Sequence, residues 1–255
     1  MTSMISFDHV SKVYNAKAVV NDISFNIEQG EFITILGTSG SGKTTTLKMI
    51  NRLIEPSSGT ITFEGENLLD LDAVALRRQI GYVVQQIGLF PHMTVAENIA
   101  TVPKLLKWDK EHIVQRTVEL LELVQLPADE YAKRYPNELS GGQQQRVGVA
   151  RALAANPDVM LFDEPFGAID AITRTELQDQ LSAIHHKLGD KTFILITHDI
   201  TEAFRLGNRV MIMDEGKICQ FDTPSNIVQA PANEFVKKLI ETARAQEAMW
   251  SSAHD

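Results

Sequence analysis

The stretch "EFITILGTSGSGKTTTLKMI", residues 31 to 50, leaves few folds open. A strand-sized apolar run ends in Gly37, a glycine-rich loop follows, and a helix-forming run then continues until it is stopped before Pro56. Gly37, Gly42, Lys43 and Thr44 fit the spacing G-x-x-x-x-G-K-[ST]. A loop of this kind, running through Thr38, Ser39, Gly40 and Ser41 to Thr45, can wrap a phosphate chain with inward-pointing N–H groups. Lys43 would reach the β- and γ-phosphates, and Thr44 would offer its hydroxyl to Mg²⁺. Strand, loop and helix in this order imply an α/β fold with the loop at the sheet edge.

The rest of the chain keeps that alternation. The first 30 residues read as two strands, "ISFDHVSKVY" and "AVVNDISFNI", with a turn at "EQG". "SSGTITFEGENL" reads as turn, strand and turn, and "LRRQIGYVVQQ" holds a further short strand. After residue 86 the pattern becomes helical. In "DKEHIVQRTVELLELVQL" the apolar residues Ile113, Val114, Val118, Leu121 and Val124 recur at helical spacing behind a candidate cap, Asp109. A helix opening at Ser140 ends at "NP". Strands resume with "VMLFDE" and "KTFILITHD", separated by a helix that carries Leu177, Leu181, Ile184 and Leu188 and stops at Gly189. A short helix, "ITEAFRLG", a hairpin around "DEG" and a last helix from about residue 233 to 249 complete the chain. The expected architecture is a mainly parallel, helix-covered sheet with a helical region inserted into it. His112, His185 and His186 read as solvated helix surface.

Composition narrows the function. The net charge is −9 with a pI near 5.3, which argues against nucleic acid as a partner. The one cysteine, Cys219, allows no internal disulfide, fits a reducing compartment and reads as a small buried or edge-strand residue. The apolar runs "FITIL", "VMLF", "FILI" and "VMIM" are strand-sized, far below the roughly 18 to 20 residues of a spanning helix. The N-terminus lacks the apolar core of a signal peptide. The expectation is a protein soluble by itself, for which another chain supplies any membrane spans.

Two further features carry chemistry. In "LSGGQQQR", Ser140 stands three residues before Gln143, a capping-box spacing that opens a helix and presents bare N–H groups to an anion. That makes a second anion site in a chain that already has one. In "VMLFDE", four apolar residues run into Asp163, which at a strand end can hold Mg²⁺ directly or through water, with Glu164 beside it to polarise an attacking water.

Together these residues resemble the nucleotide-binding subunit of ABC transporters over nearly the whole chain. The motifs stand in the family's order: "GTSGSGKT", Gln85 in "YVVQQ", "LSGGQ", "VMLFDE", "GAID" and "THD". The resemblance implies a P-loop NTPase with a RecA-like, mainly parallel core and an N-terminal antiparallel β subdomain (1–86 and 158–225). It also implies an inserted α-helical subdomain (87–157) and a C-terminal helix and tail (226–255). It implies that Tyr14 stacks on adenine, that Gln85, with Gln86 as the other register, touches Mg²⁺ and the water, and that Asp163 is a metal ligand. Glu164 would be the general base and His198 the contact to the γ-phosphate. Ile169 stands where the family usually has leucine. Ser140, Gly141, Gly142 and Gln143, with Asp170, would serve the ATP held by a second copy of the chain in a head-to-tail dimer. That answers why one chain carries two anion sites.

"INRLIEPSSG", "QQIGLFPHMTVAENI", "RYPNELSGGQQQR" and "PANEFVKKLI" are similar to the ATPases of osmoprotectant importers, which take up glycine betaine, choline, carnitine or related amines. The resemblance implies ATP and Mg²⁺ as cofactors. It also implies an integral membrane permease as partner, an extracytoplasmic substrate-binding protein as an indirect one, and a place at the cytoplasmic face of the membrane. Phe90, Pro91, His92 and Met93 would lie in the loop that meets the permease, or else pack within the subdomain. Several such relatives extend C-terminally into paired CBS modules; this chain either lacks them or is a truncation. The alternatives are an importer ATPase for another small solute, a soluble ABC ATPase of DNA repair or translation, and a P-loop kinase, which leaves "LSGGQ" and His198 unexplained.

Overall fold

The computed structural model describes residues 3–84, 88–167 and 169–251, with side chains as far as residue 245. The strands are β1 (Ser3–Tyr14), β2 (Lys17–Glu28), β3 (Phe32–Gly37), β4 (Ser58–Phe63), β5 (Glu66–Asn67), β6 (Ile80–Val83), β7 (Val159–Asp163), β8 (Thr192–Thr197), β9 (Arg209–Asp214) and β10 (Lys217–Asp222). The helices are α1 (Lys43–Ile50), α2 (Ala73–Gln79), α3 (Val95–Ile99), α4 (Thr101–Leu105), α5 (Lys110–Leu123), α6 (Ala128–Tyr131), α7 (Gly141–Leu153), α8 (Ala171–Leu188), α9 (Ile200–Leu206), α10 (Pro224–Gln229) and α11 (Glu234–Ser251). The chain divides into two compact units, Met1–Asp70 with Ile194–Asp255, and Leu71–Phe193.

In the first unit, β1 pairs antiparallel with β2 and with β4, in the order β2-β1-β4-β5. Tyr14 and Lys17 close the β1–β2 hairpin around Asn15 and Ala16, both at positive φ, the geometry of a two-residue primed turn. Phe7 and Phe25 stack across this pair with ring centroids 4.4 Å apart. A second run of strands follows the order β10-β9-β3-β8, with β3 parallel to β9. Every residue of β3 and β8 is buried, which explains why both read as unbroken apolar runs rather than alternating ones. Leu36, Ala203, Val210, Ile212, Ile227, Val236 and Ile240 form one core cluster of this unit. Cys219 is half-buried on β10, the strand at the end of that order.

The second unit holds β6 and β7, paired in parallel, and the helices α2 to α8. The expected caps form: Asp109 accepts from the His112 N–H at the start of α5, and Gly189, at φ 60°, ends α8. The α5 stripe is shifted from the expected one. Ile113, Leu121 and Val124 are buried, but Val114 is 64% exposed and Val118 is also exposed; Thr117 and Leu120 are buried in their place. Thr117 fits there because its hydroxyl donates to the Ile113 carbonyl one turn back, at 2.7 Å. His186 and His112 are exposed as expected, but His185 is 7% exposed and its ring lies 4.9 Å from that of Phe193. It follows Leu181 by four residues and so falls on the helix's core face. Among the described residues, no helix is long and apolar enough to cross a membrane.

Candidate nucleotide-binding site

In the first unit, β3 delivers the chain into the glycine-rich loop and α1 leaves it. Two glycines are required by space. A Cβ on Gly37 would fall 2.1 Å from the Met213 carbonyl oxygen, and one on Gly42, at φ +100°, 2.6 Å from that of Val19. The N-cap of α1 is Gly42, which supplies no side chain, and no acid stands in the first turn. The first backbone N–H groups therefore face the loop without an internal anion. Lys43 is buried, and its ammonium donates to the carbonyls of Gly37 and Thr38, both at 2.9 Å. The charge is thus delivered to the loop's centre. Ser41 Oγ is buried with no hydrogen-bond partner among the described residues, while Thr38, Ser39 and Gly40 are exposed. Thr44 and Thr45 are half-buried in the first turn of α1. A curled loop with an inward ammonium and a helix start that no side chain caps fits a phosphate chain.

His198 of the same unit is exposed directly after the buried strand β8. Its turn is held on both sides. Thr197 Oγ1 donates to Glu202 at 2.7 Å and accepts from the Asp199 N–H at 3.0 Å, and Asp199 caps α9 through the N–H groups of Thr201 and Glu202. Tyr14 is exposed at the hairpin end, with the Lys12 ammonium 5.0 Å from its ring centre. A ring so placed can take a flat base.

In the second unit, Asp163 ends β7 and Glu164 follows at φ +48°, both half-buried. The Asp163 carboxylate offers oxygen atoms, the donors a magnesium ion takes alongside phosphate. Ser140 caps α7 with the full capping box: the Gln143 N–H donates to Ser140 Oγ at 3.3 Å, and Gln143 Oε1 accepts from the Ser140 N–H at 2.9 Å. Gly141 is exposed, with nothing within 4 Å of an added Cβ. Gly142 is buried, and an added Cβ would lie 2.6 Å from Thr173 Cγ2. Asp170 caps α8 through the Thr173 N–H at 3.1 Å, and this bond foremost holds its carboxyl below the usual carboxylate range. As the pH falls, the ionised cap therefore persists below the pH at which an ordinary carboxylate protonates. Gln85 and Gln86 lie outside the described residues, as does Ala168 of "GAID".

Four supporting residues were not expected from the sequence. Asp214 accepts from Thr38 Oγ1 at 3.0 Å. Asp199 and Glu202 support the His198 turn, and their D-x-x-E spacing is a cap signal that could have disclosed them. Tyr82 donates to Asp163 Oδ2 at 3.2 Å.

The sequence profile of the ABC transporter family matches residues 20–167. The chain belongs to the ABC transporter family. Over 246 residues the cassette is 54% identical to a carnitine transport ATP-binding protein of Listeria monocytogenes, covering 96% of this chain and 62% of that protein. It is 55% identical over 242 residues to a glycine betaine/carnitine/choline transport ATP-binding protein of Bacillus subtilis, covering 94% and 63%. It is 53% identical over 236 residues to a glycine betaine uptake system ATP-binding protein of Escherichia coli, covering 92% and 76%. The cassette thus spans less than two thirds of the length of the first two. A solved dimeric ATP-binding cassette in a post-hydrolysis state, bound to ADP and Pi, matches with a TM-score of 0.76 at 35% identity, covering 87% of this chain and 99% of that one.

Proposed function

We propose that this cassette is the ATP-hydrolysing subunit of an ABC importer for an osmoprotectant or related quaternary amine. It would act as a head-to-tail dimer beneath separate permease subunits, at the cytoplasmic face of the membrane, with a substrate-binding protein on the other side. The observation that carries the reading is the identity of 53 to 55% to relatives named for carnitine, choline and glycine betaine transport.

In this reading, Tyr14 stacks on the adenine and the loop from Gly37 to Thr45 takes the phosphates. Thr44, Asp163 and Gln85 would hold Mg²⁺, which when bound neutralises charge on the β- and γ-phosphate oxygens. Glu164 accepts a proton from the water whose oxygen bonds to the γ-phosphorus as the bond to the ADP oxygen breaks. His198 contacts the γ-phosphate. Ser140, Gly141, Gly142, Gln143 and Asp170 of the second copy complete the site, so ATP favours the closed dimer, in which both sets of contacts exist. Replacing Lys43 with Ala removes a charged donor, and such bonds are worth ~1.5–3 kcal/mol. A fluorescent-nucleotide titration should show affinity lower by about 10-fold or more; parental affinity would remove Lys43 from the phosphate site.

The permease contact is assigned to residues 88–95. Phe90, Pro91 and His92 are exposed, yet the loop beneath them is pinned. The buried Asn98 accepts from the Phe90 N–H and donates to the carbonyls of Phe90, Met93 and Thr94. Arg151 donates to the Gly88 carbonyl at 2.7 Å and lies over the Phe90 ring. A rigid, partly apolar knuckle is a suitable docking surface. With Phe90 and His92 replaced by Asp, copurification of the permease should be lost while ATP binding persists. Deleting the chain should abolish osmotically induced uptake of labelled glycine betaine, choline or carnitine. Unchanged uptake of all three would refute the solute assignment.

A further inference from the structure

The parallel pairing of β6 and β7 sets Tyr82 opposite Leu161. Side chains alternate along a strand, so Asp163, two residues beyond Leu161, shares a face with Tyr82 one diagonal step away. The phenol uses that placement by donating to Asp163 Oδ2 at 3.2 Å. A phenol has one proton to give, and here it is committed to this carboxylate. Such a bond limits the rotation of the carboxyl group and so fixes the direction of its other oxygen.

We propose that Tyr82 is a positioning residue for the divalent cation: it holds the Asp163 carboxylate in one orientation, so that the ion meets an already aimed ligand. This rests on the assignment of Asp163 as a metal ligand. Outer partners of metal-binding carboxylates typically tune affinity by 10- to 100-fold. A phenol that merely satisfied its own hydrogen bond would change stability and leave metal affinity alone.

The test uses the full chain carrying Glu164→Gln to stop turnover, with Mn²⁺ as the probe ion and ATP present. Electron paramagnetic resonance reads bound Mn²⁺, and a fluorescent ATP analogue in EDTA reads metal-free nucleotide binding. Tyr82→Phe should raise the Mn²⁺ Kd by about 10-fold, with metal-free nucleotide affinity unchanged. Asp163→Asn, measured in parallel, should raise it at least as far. If Asp163→Asn weakens Mn²⁺ binding and Tyr82→Phe does not, the positioning role is overturned and the metal assignment stands. If neither does, the assignment of Asp163 falls and the role of Tyr82 falls with it. Equal losses of Mn²⁺ and metal-free nucleotide binding in Tyr82→Phe would also overturn the role, because they report a packing defect.

Discussion

Replacing Glu164 with Gln is expected to lower ATP turnover by at least about 100-fold, the usual worth of a positioned general base, while ATP binding persists. The local backbone gives the reason. Glu164 stands directly after β7 in the left-handed region, at φ +48°, which non-glycine residues seldom occupy. Its carbonyl accepts from the Gly167 N–H at 3.3 Å, so a tight turn begins there. Backbone strain of this kind concentrates where a side chain must be aimed. Gln has the same shape and meets the same backbone cost, so folding should be unaffected. What it lacks is a basic carboxylate to receive the proton of the attacking water. In the proposed cycle hydrolysis is the exit from the closed state, so the variant should accumulate as an ATP-bound dimer. Phosphate release and size-exclusion chromatography in ATP measure the two effects. Turnover within about tenfold of the parent would leave too little for a general base and would take that role from Glu164.

The legible parts of the fold were those written in local chemistry. Asp109, Ser140 and Gly189 mark helix ends because a cap needs only a few neighbouring backbone groups. The wholly buried strands β3 and β8 announce themselves as apolar runs. Short helices are harder to read, though two of them carry a cap signal. In α2 the signal was Asp72, which accepts from the N–H groups of Val74 and Ala75, but its seven residues offer too few turns to show a periodicity. In α10 it was Thr223 before Pro224, a cap followed by a proline in the first turn. His185 shows the converse limit. A polar residue is read as solvated unless its register is traced, and four residues from Leu181 it falls on the buried face. Pairings across strands are less legible still. Nothing in "IGYVV" tells that the Tyr82 hydroxyl reaches Asp163, because that contact depends on the β6–β7 register. Motif spacing also hides what a glycine is for. Gly141 and Gly142 are adjacent letters of one motif, but only the second is closed in by a neighbouring side chain.

That difference decides how the proposed two-chain site is best tested. Gly142→Ala would place a Cβ 2.6 Å from Thr173 Cγ2, on the helix that Asp170 caps, so a loss of activity could come from repacking alone. Gly141 has open space around it and is the first residue of α7. An aspartate there should be tolerated and slightly favourable in the lone subunit, since acids suit the first turn of a helix and the Ser140–Gln143 box stays intact. In the closed dimer the same carboxylate would oppose the γ-phosphate held by the other copy. Two like charges about 4 Å apart near a protein surface repel by ~4 kcal/mol, and each ~1.4 kcal/mol is tenfold. Gly141→Asp should therefore leave the ATP affinity of the monomer unchanged. It should lower both ATP-driven dimerisation, measured by sedimentation on the Glu164→Gln background, and hydrolysis by the otherwise unaltered chain, each by at least about 100-fold. Parental hydrolysis in Gly141→Asp, or an equal loss of ATP binding by the monomer, would mean that the "LSGGQ" helix does not serve the nucleotide of a second chain.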